Sequence, residues 1–514
     1  MFVIPSGFSE NKILDALSGV GFSCQKTKSI KYVDVYFDIQ SGRLFRSQIW
    51  LRKRNKNLWQ LLEKEILILQ QPANESDTLP SKEILEKISP IAKTPNLIPH
   101  IKIKVIEEPY ILKRGEKEET TISFQKLFYS HPFKVIWITG PYIITISAEA
   151  SQISSVQYLT SLLRDFIGLQ SESFNLLVDG LNSLNLPLPG APIPENLIIK
   201  SGDNFFQAGE KILSRQAYKM WANIEGTIRQ LDPEFLHDLR VATRRARFAL
   251  KLFSSIVSPE PCEKLRKELG WIARTLGKVR DLDVFLQNLK GQFKKIETAQ
   301  EVEQYLLENL GSQRKTDLKK LVAALKSKRY GRILNHLRNF FSTPEVSQIN
   351  QDQVLSETVY LASEFIKKAG TKIQKFVKSK NETFSAEEIH KIRIAFKGLR
   401  YTCEFFSDLL GEPVKKMIDS FVEFQDCLGS HQDAVVAMKN LHDIIQSRYA
   451  DGEASLNETL TIGALIQVNK EMILNERNNF MKLWRKMPEI FQQIDNLKSA
   501  EVGMQNAFAQ GSSL

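Results

Sequence analysis

One segment of the sequence places five cationic or protonatable side chains on a single face of a predicted helix. Within residues 237–253 these side chains recur at offsets of 0, 3, 7, 10 and 14. At about 100° per residue they lie within an arc of roughly 80° and form a row about 21 Å long. Apolar residues occupy the opposite face, so the helix is expected to pack into a core and to expose this first ladder. The ladder residues are His237, Arg240, Arg244, Arg247 and Lys251.

The same pattern returns 153 residues later as a second ladder. Segments 276–281 and 428–433 form another matching pair, separated by 152 residues. Two separate segments that keep nearly the same offset indicate an internal repeat. Each copy is therefore predicted to be a helical bundle that contributes one basic helix. The second ladder comprises His390, Arg393, Lys397 and Arg400.

Such ladders suit a polyanion whose charges repeat along its length, because guanidinium groups form bidentate bonds to phosphate oxygens. These faces carry no paired carboxylates, metal-ligand cluster or glycine-rich phosphate loop. The sequence therefore predicts binding without catalysis, with no cofactor and no metal. Arg245 and Tyr401 join the candidate binding residues, with Arg245 left open between that role and a surface salt bridge. Asp281 and Asp433 are expected to orient cations or to cap helices.

The two histidines add an expectation about pH. Each lies in a row of cations, and like-charge repulsion is expected to lower the pKa of both imidazoles. A bound polyphosphate would reverse this effect by favouring the imidazolium. Affinity should therefore rise as the pH falls.

The overall composition agrees with an anionic partner and a globular chain. Across 514 residues, 70 Lys and Arg against 59 Asp and Glu give a net charge of +11, and 42% of residues are hydrophobic. The start lacks a secretory signal, and no apolar run of about 18 residues is present, so a soluble, cytoplasmic protein without membrane contact is expected. The four scattered cysteines are expected to be reduced thiols.

The chain divides into two halves of different character. Up to residue 186 it is strand-rich, with hairpins predicted at 49–64 and 133–146, whereas the region from 201 onward is helical. Four prolines mark residues 187–200 as a linker. The predicted fold is thus an α+β domain followed by an all-α domain. The predicted divisions are 1–186, the linker 187–200, the helical repeats at about 201–345 and 346–500, and a tail at 501–514.

The helical half resembles the CHAD family, the conserved histidine α-helical domain. Residues 237–253 are similar to its His-x-x-Arg motif, 390–406 to the second-half version, and 276–284 to its Arg-Asp-Leu-Asp segment. The resemblance implies two pseudo-symmetric four-helix bundles around a basic cleft that binds inorganic polyphosphate. Family members are associated with polyphosphate granules, and the domain is not regarded as an enzyme.

The N-terminal half resembles the CYTH fold of triphosphate tunnel metalloenzymes. Segments 32–38 and 51–54 are similar to two of its strands, and the resemblance implies an antiparallel β-barrel with Arg52, Arg54 and Lys64 as candidate tunnel phosphate ligands. The family's Glu-x-Glu-x-Lys strand would precede Phe2, and residues 145–150 offer one carboxylate where further metal ligands are expected. The metal site is therefore incomplete, and either the true start lies upstream or the domain is degenerate.

Two alternatives to non-catalytic polyphosphate binding stay open. The tunnel domain could make the protein a triphosphatase or polyphosphate-processing enzyme if the missing strand lies upstream. Alternatively, the basic cleft could bind nucleic acid, since nucleic acid also presents phosphates. The absence of aromatic residues interleaved with the ladders argues against the nucleic-acid alternative.

Overall fold

The computed structural model divides into two units, Met1–Pro192 and Ile193–Leu514, with the boundary inside the predicted linker. It describes residues 1–5, 7–64, 66–77, 79–92, 96–114, 119–148, 153–169, 174–257, 259–296, 300–343, 346, 358–378, 384–495 and 497. The predicted tail at 501–514 lies outside these residues. So does Glu149, the one carboxylate that residues 145–150 offer. Within the described residues, every helix is too short or too polar to cross a membrane.

The first unit is built on one antiparallel sheet of nine strands, in agreement with the predicted fold class. The strand order is β1-β9-β8-β7-β3-β4-β5-β6, and β2 pairs with β7. The strands are β1 (Phe2–Val3), β2 (Ser23–Lys26), β3 (Ile30–Asp38), β4 (Ile49–Arg54), β5 (Leu58–Glu63), β6 (Ile66–Pro72), β7 (Ile98–Lys113), β8 (Glu119–Ser130) and β9 (Ile138–Ser147).

Helices cover the sheet on both faces. Leu177 and Leu181 pack against the face that carries Ile101, whereas Ile84 and Ile88 pack against Trp59 on the other face. Strand β5 is accordingly buried without interruption from Trp59 to Leu62, as expected where both faces of a strand are covered. The helices of the unit are α1 (Glu10–Gly19), α2 (Arg43–Arg46), α3 (Lys82–Ala92), α4 (Ile153–Ser161), which continues as a π-helical turn at Leu162–Phe166, and α5 (Leu176–Ser183).

One predicted hairpin is confirmed and the other is wrong. Strands β4 and β5 form the hairpin expected at 49–64. Residues 133–136, however, are irregular, and Gly140-Pro141 lies inside β9 instead of forming a turn. The pairing shifts there, because Lys126 faces Tyr142 while Phe128 faces Thr139. A bulge thus accommodates the proline, which cannot donate a ladder hydrogen bond.

The second unit is helical, as predicted. Its first repeat contains α6 (Phe205–Arg229), α7 (Pro233–Phe253), α8 (Pro259–Phe293), α9 (Gln300–Leu325) and α10 (Lys328–Arg338). The second contains α11 (Thr358–Lys378), α12 (Ala386–Leu410), α13 (Glu412–Ala450) and α14 (Leu456–Trp484).

The two repeats share buried cores. Tyr401 and Phe406 of α12 belong to the main core of the first repeat, while Phe285 of α8 packs in a separate cluster with Ala437 and Ile462 of the second. Burial of apolar surface is the dominant favourable term in such packing. The repeats therefore form one continuous packed structure, and this packing fixes the two basic helices relative to each other.

Candidate functional site: the two basic helices

Both basic helices begin at capped N-termini. Asp232 accepts a hydrogen bond from the backbone N–H of Glu234 and Pro233 begins α7, while Ser385 and Glu388 form a capping box at the start of α12. The apolar stripe of α7 is buried from Leu239 to Phe253. Packing of that stripe leaves the ladder on the opposite side of the helix.

Gly277 of α8 makes room for Arg240 of the first ladder, and Gly270 lies beside Arg247. A Cβ atom at Gly277 would lie 2.7 Å from Nη1 of Arg240, and one at Gly270 would lie 3.8 Å from Nη2 of Arg247. Nη2 of Arg240 also donates to Oδ1 of Asp281 at 3.3 Å. The two glycines are seven residues apart, and so are the two arginines. Helices α8 and α7 therefore lie against each other over about two turns.

The second repeat reproduces part of this arrangement. The charge of Asp433 acts on both Arg393 and Lys397, which makes Asp433 the counterpart of Asp281. Nδ1 of His390 lies 2.7 Å from Oε1 of Gln432. The prediction that the two aspartates orient cations thus agrees with their placement beside the ladders.

The two basic helices contact each other at an aromatic pair. The rings of Phe248 and Tyr401 lie 5.7 Å apart, and a Cβ at Gly398 would lie 3.3 Å from the Phe248 ring. Arg244 and Arg245 place their guanidinium carbons 5.6 Å and 5.5 Å from the centre of the Tyr401 ring. The structure therefore brings together cations from ladders that are 153 residues apart in sequence.

Arg240, Arg244, Arg393 and Lys397 form what we call the cation cluster. Burial, followed by the charges of Arg244, Arg393 and Arg240, lowers the pKa of Lys397 to about 7, although Asp433 opposes the shift. Burial also lowers the pKa of Arg393. Burial is the main cause of both shifts, and for Lys397 the repulsion from three neighbouring arginines adds to it.

Several guanidinium nitrogens beside the cluster lack partners. The Nε atoms of Arg244, Arg247 and Arg393 are buried and make no hydrogen bond within the described ranges. Buried polar groups are normally hydrogen-bonded, so these three donors are exceptions on the two basic helices.

Two of the predicted binding residues are already engaged by a carboxylate. Glu404 accepts from Nε of Arg400 at 2.7 Å and also pairs with Nη2 of Arg245. Arg400 further donates from Nη1 to Gln425 at 2.8 Å. Arg245 therefore forms a salt bridge, which is one of the two roles that the sequence left open for it. Lys251, at the far end of the first ladder, is exposed.

The expected histidine effect has a different main cause. Burial is the largest influence that lowers the pKa of His237, and the charges of Arg280 and Arg244 contribute less. Repulsion along the ladder was therefore the wrong principal cause for this residue. Glu234 and Asp238 act in the opposite direction and raise the pKa of His237.

A possible cation site not foreseen from the sequence lies at the start of α7. Glu234, His237 and Asp238 bring one ligand atom each within 4.8 Å of one another. Arg280 approaches the same carboxylate, with Nη2 3.8 Å from Oε1 of Glu234. A guanidinium therefore already supplies positive charge beside this triad.

The candidate tunnel residues of the first unit lie in a different environment. Buried Asp34 pairs with Nη1 of Arg52 at 3.1 Å and with Nε of Arg54 at 2.8 Å. Arg52 also donates to Gln60 at 2.8 Å. Lys64 is exposed in the turn after β5, with φ of +48°, at the opposite end of the β4–β5 hairpin from Arg54. The structure thus groups Arg52 with Arg54 but leaves Lys64 apart from them.

Comparison with known proteins finds one domain family. Residues 211–442 match the CHAD domain. The chain is 25% identical over 256 residues to "Uncharacterized protein MT2285" of Mycobacterium tuberculosis strain CDC 1551 / Oshkosh, which covers 49% of this chain and 48% of that protein. "Uncharacterized protein Rv2226" of strain H37Rv matches to the same extent. The chain thus spans about half the length of these curated relatives.

Two solved structures are also similar. PptA from Streptomyces chartreusis is 17% identical, with a TM-score of 0.45 over 55% of this chain and 100% of that one. The CHAD domain from the plant Ricinus communis is 23% identical, with a TM-score of 0.45 over 59% of this chain and 95% of that one.

Proposed function

We propose that the helical unit, in which residues 211–442 match the CHAD domain, binds inorganic polyphosphate without catalysing a reaction on it, through a cleft lined by the two basic helices. The cation cluster is the proposed centre of this cleft. His237, Arg247 and Lys251 of the first ladder and His390 of the second extend it along the helices. Arg245 and Tyr401 hold the two helices together at its edge, where Arg400 is paired with Glu404 and Gln425.

The observation that carries the proposal is incomplete charge compensation. Arg244, Arg393 and Lys397 come from both repeats and make no ion pair within the part of the chain that the structure describes. Asp281 and Asp433 lie nearby, but they are two carboxylates beside the four cations of the cluster. Concentrated cations that their neighbours do not neutralise favour a polyanionic ligand.

The aromatic residue at the cluster supports polyphosphate over nucleic acid. Tyr401 is buried and packs between Arg244, Arg245 and Phe248, so its ring is already covered. Proteins that bind single-stranded nucleic acid usually offer exposed aromatic faces on which bases stack. A ligand made of phosphates alone does not need such a face.

The repeat suggests how chain length would matter. One long polyphosphate that engages cations of both repeats binds the second set at high effective concentration, so long chains should bind more tightly than short ones. This property would suit targeting to polyphosphate granules. The proposed binding domain comprises residues 201–500, and its two repeats meet near residue 345.

For the first unit we propose a structural role for Arg52 and Arg54. Asp34 compensates both guanidinium groups, and buried pairs of this kind strongly resist loss of one partner. We propose no phosphate site at Lys64, because it lies apart from both arginines. The proposed function therefore rests on the helical unit.

The test is a binding comparison at near-physiological salt. Affinity for long-chain polyphosphate is measured against single-stranded RNA of matched charge, for the wild type and for Arg244→Ala with Lys397→Ala. We expect polyphosphate to bind at least tenfold more tightly than RNA and the double variant to lose that binding. Circular dichroism verifies that the variant is folded.

A matched control removes two exposed lysines that lie outside the ladders, Lys290→Ala with Lys482→Ala. The control lowers the net charge equally and should change polyphosphate affinity less than twofold. Equal affinity for polyphosphate and RNA would indicate a general polyanion surface. Binding that survives in the ladder variant would place the site elsewhere.

A further inference from the structure

A basic cavity in the first repeat lies beside the ladder but outside it. It has a volume of about 530 Å³ and is formed by α8, α9 and the start of α10. Arg274 and Lys278, one turn apart on α8, line it together with Lys320 of α9. Asp317, 3.3 Å from Nζ of Lys320, is the acidic residue in this lining. The cavity therefore carries a positive excess.

The aromatic wall of the cavity is already occupied. The guanidinium carbon of Arg329 lies 4.2 Å from the centre of the Trp271 ring. Glu268 holds Arg329 in place through two hydrogen bonds of 2.9 and 3.0 Å. Since Arg329 covers one face of the indole, the chemistry that the cavity offers a ligand is mainly that of its ammonium and guanidinium groups.

Arg274, which lines the cavity, lies close to Arg247 of the first ladder. At Gly270, an added Cβ would lie 3.8 Å from Nη2 of Arg247 and 3.8 Å from Nη1 of Arg274. The charge of Arg274 also contributes to the lowered pKa of Arg247, after burial and Arg266. A phosphate chain that leaves Arg247 therefore meets Arg274 next.

The second repeat carries different residues at the positions equivalent to these two cations. The positions 152 residues after Arg274 and Lys278 are Asp426 and Ser430. Helix α13 nevertheless packs within its bundle with Phe421, Phe424 and Leu428 buried. The two cations of α8 are therefore not needed to build a helix of this type, and their charge is available for a ligand.

We infer that this cavity is a second phosphate subsite, which binds the part of a long polyphosphate that extends beyond the cation cluster. The inference rests on the proposed function and deepens it. It defines the path of the bound polyphosphate, which leaves the cation cluster past Arg247 on the side of the first repeat. Chains that fit within the ladder do not reach the subsite.

The test compares two chain lengths. One ligand is long-chain polyphosphate, and the other is an oligophosphate about 20 Å long, which matches the span of the ladder at 1.5 Å per residue. For Arg274→Ala with Lys278→Ser, we expect at least a fivefold loss of affinity for the long chain and less than a twofold change for the short one. Both side chains are exposed, so the fold should be retained.

The control is Lys290→Ser with Lys294→Ala, two exposed lysines at the other end of the same helical segment. It makes the same charge change and should alter neither affinity by more than twofold. Equal losses for the two ligands, or no loss for either, would overturn the subsite. Failure of the proposed function gives a different pattern, in which the wild type does not prefer polyphosphate to RNA.

Discussion

The two units of the protein place arginines on neighbouring elements in opposite electrostatic situations. In the sheet unit, Arg52 and Arg54 share the buried carboxylate of Asp34. In the helical unit, Arg244, Arg393 and Lys397 approach one another, and burial together with repulsion lowers the pKa of Lys397 to about 7. The comparison indicates that the number of cations matters less than whether a carboxylate pairs with them. A paired cation stabilises the fold, whereas an unpaired one is available to a ligand.

Removal of the compensating carboxylate should have the largest effect. Asp34→Ala leaves two partly buried guanidinium groups without their partner, so we expect a loss of about 3 kcal/mol in the free energy of unfolding of the sheet unit. Urea denaturation followed by circular dichroism measures this loss. Polyphosphate affinity should stay within twofold of the wild type, and a large fall would show that the two units do not differ as described.

A change of pH should also affect the stability of the helical unit. Because its pKa is lowered to about 7, folded Lys397 binds fewer protons than the unfolded residue, whose pKa is about 10.4. Stability should therefore rise between about pH 7 and 10, and Lys397→Met should remove this rise. Denaturation at a series of pH values provides the measurement.

Polyphosphate affinity should show the opposite trend with pH. A bound polyanion favours the protonated form of Lys397, so affinity should fall about tenfold as the pH rises from 7 to 9. Lys397→Arg keeps the charge and should bind with little change over this range. A fall of the same size in the arginine variant would assign the titration to another group.

A third change converts compensated cations into uncompensated ones. Glu404→Gln removes the negative charge that Arg245 and Arg400 share. We expect a loss of about 1.5 kcal/mol in stability, because a charge-assisted contact between the two helices is weakened. Polyphosphate affinity should increase about fivefold, and calorimetric titration would reveal a decrease if the two arginines instead lose their positions.

The smallest effect should come from a single methyl group. Gly277→Ala places a Cβ 2.7 Å from Nη1 of Arg240, which must move, so affinity should fall about threefold. Gly429→Ala is the matched control at the equivalent position, where a Cβ meets nothing within 4 Å. Both variants should be slightly stabilised by the helix propensity of alanine. Equal affinities would mean that Arg240 does not need its present place.

The sequence was sufficient to predict the repeat, the helical character of the second unit and the apolar face of α7. These features depend on spacing along one segment. The contact between Phe248 and Tyr401 could not be predicted in this way. It depends on how the two bundles pack, which local periodicity does not encode.

Compensation of charge was equally hidden from the sequence. Arg245 is 159 residues from Glu404, and Arg54 is 20 residues from Asp34, so neither partner lies within one helical or strand repeat of its arginine. The bulge at Gly140-Pro141 was mistaken for a turn for a similar reason, since pairing with β8 decides it. The sequence did contain one signal for the contact between α8 and the first ladder. Gly270 and Gly277 are seven residues apart, as are Arg240 and Arg247.

The most direct test of the central claim is amide hydrogen exchange of the full chain with and without long-chain polyphosphate. Ligand binding suppresses local opening of the elements it contacts. The account predicts slower exchange in α7 (Pro233–Phe253) and α12 (Ala386–Leu410), and no change in β3 to β5 (Ile30–Glu63). Protection confined to the strands, with both basic helices unchanged, would contradict it.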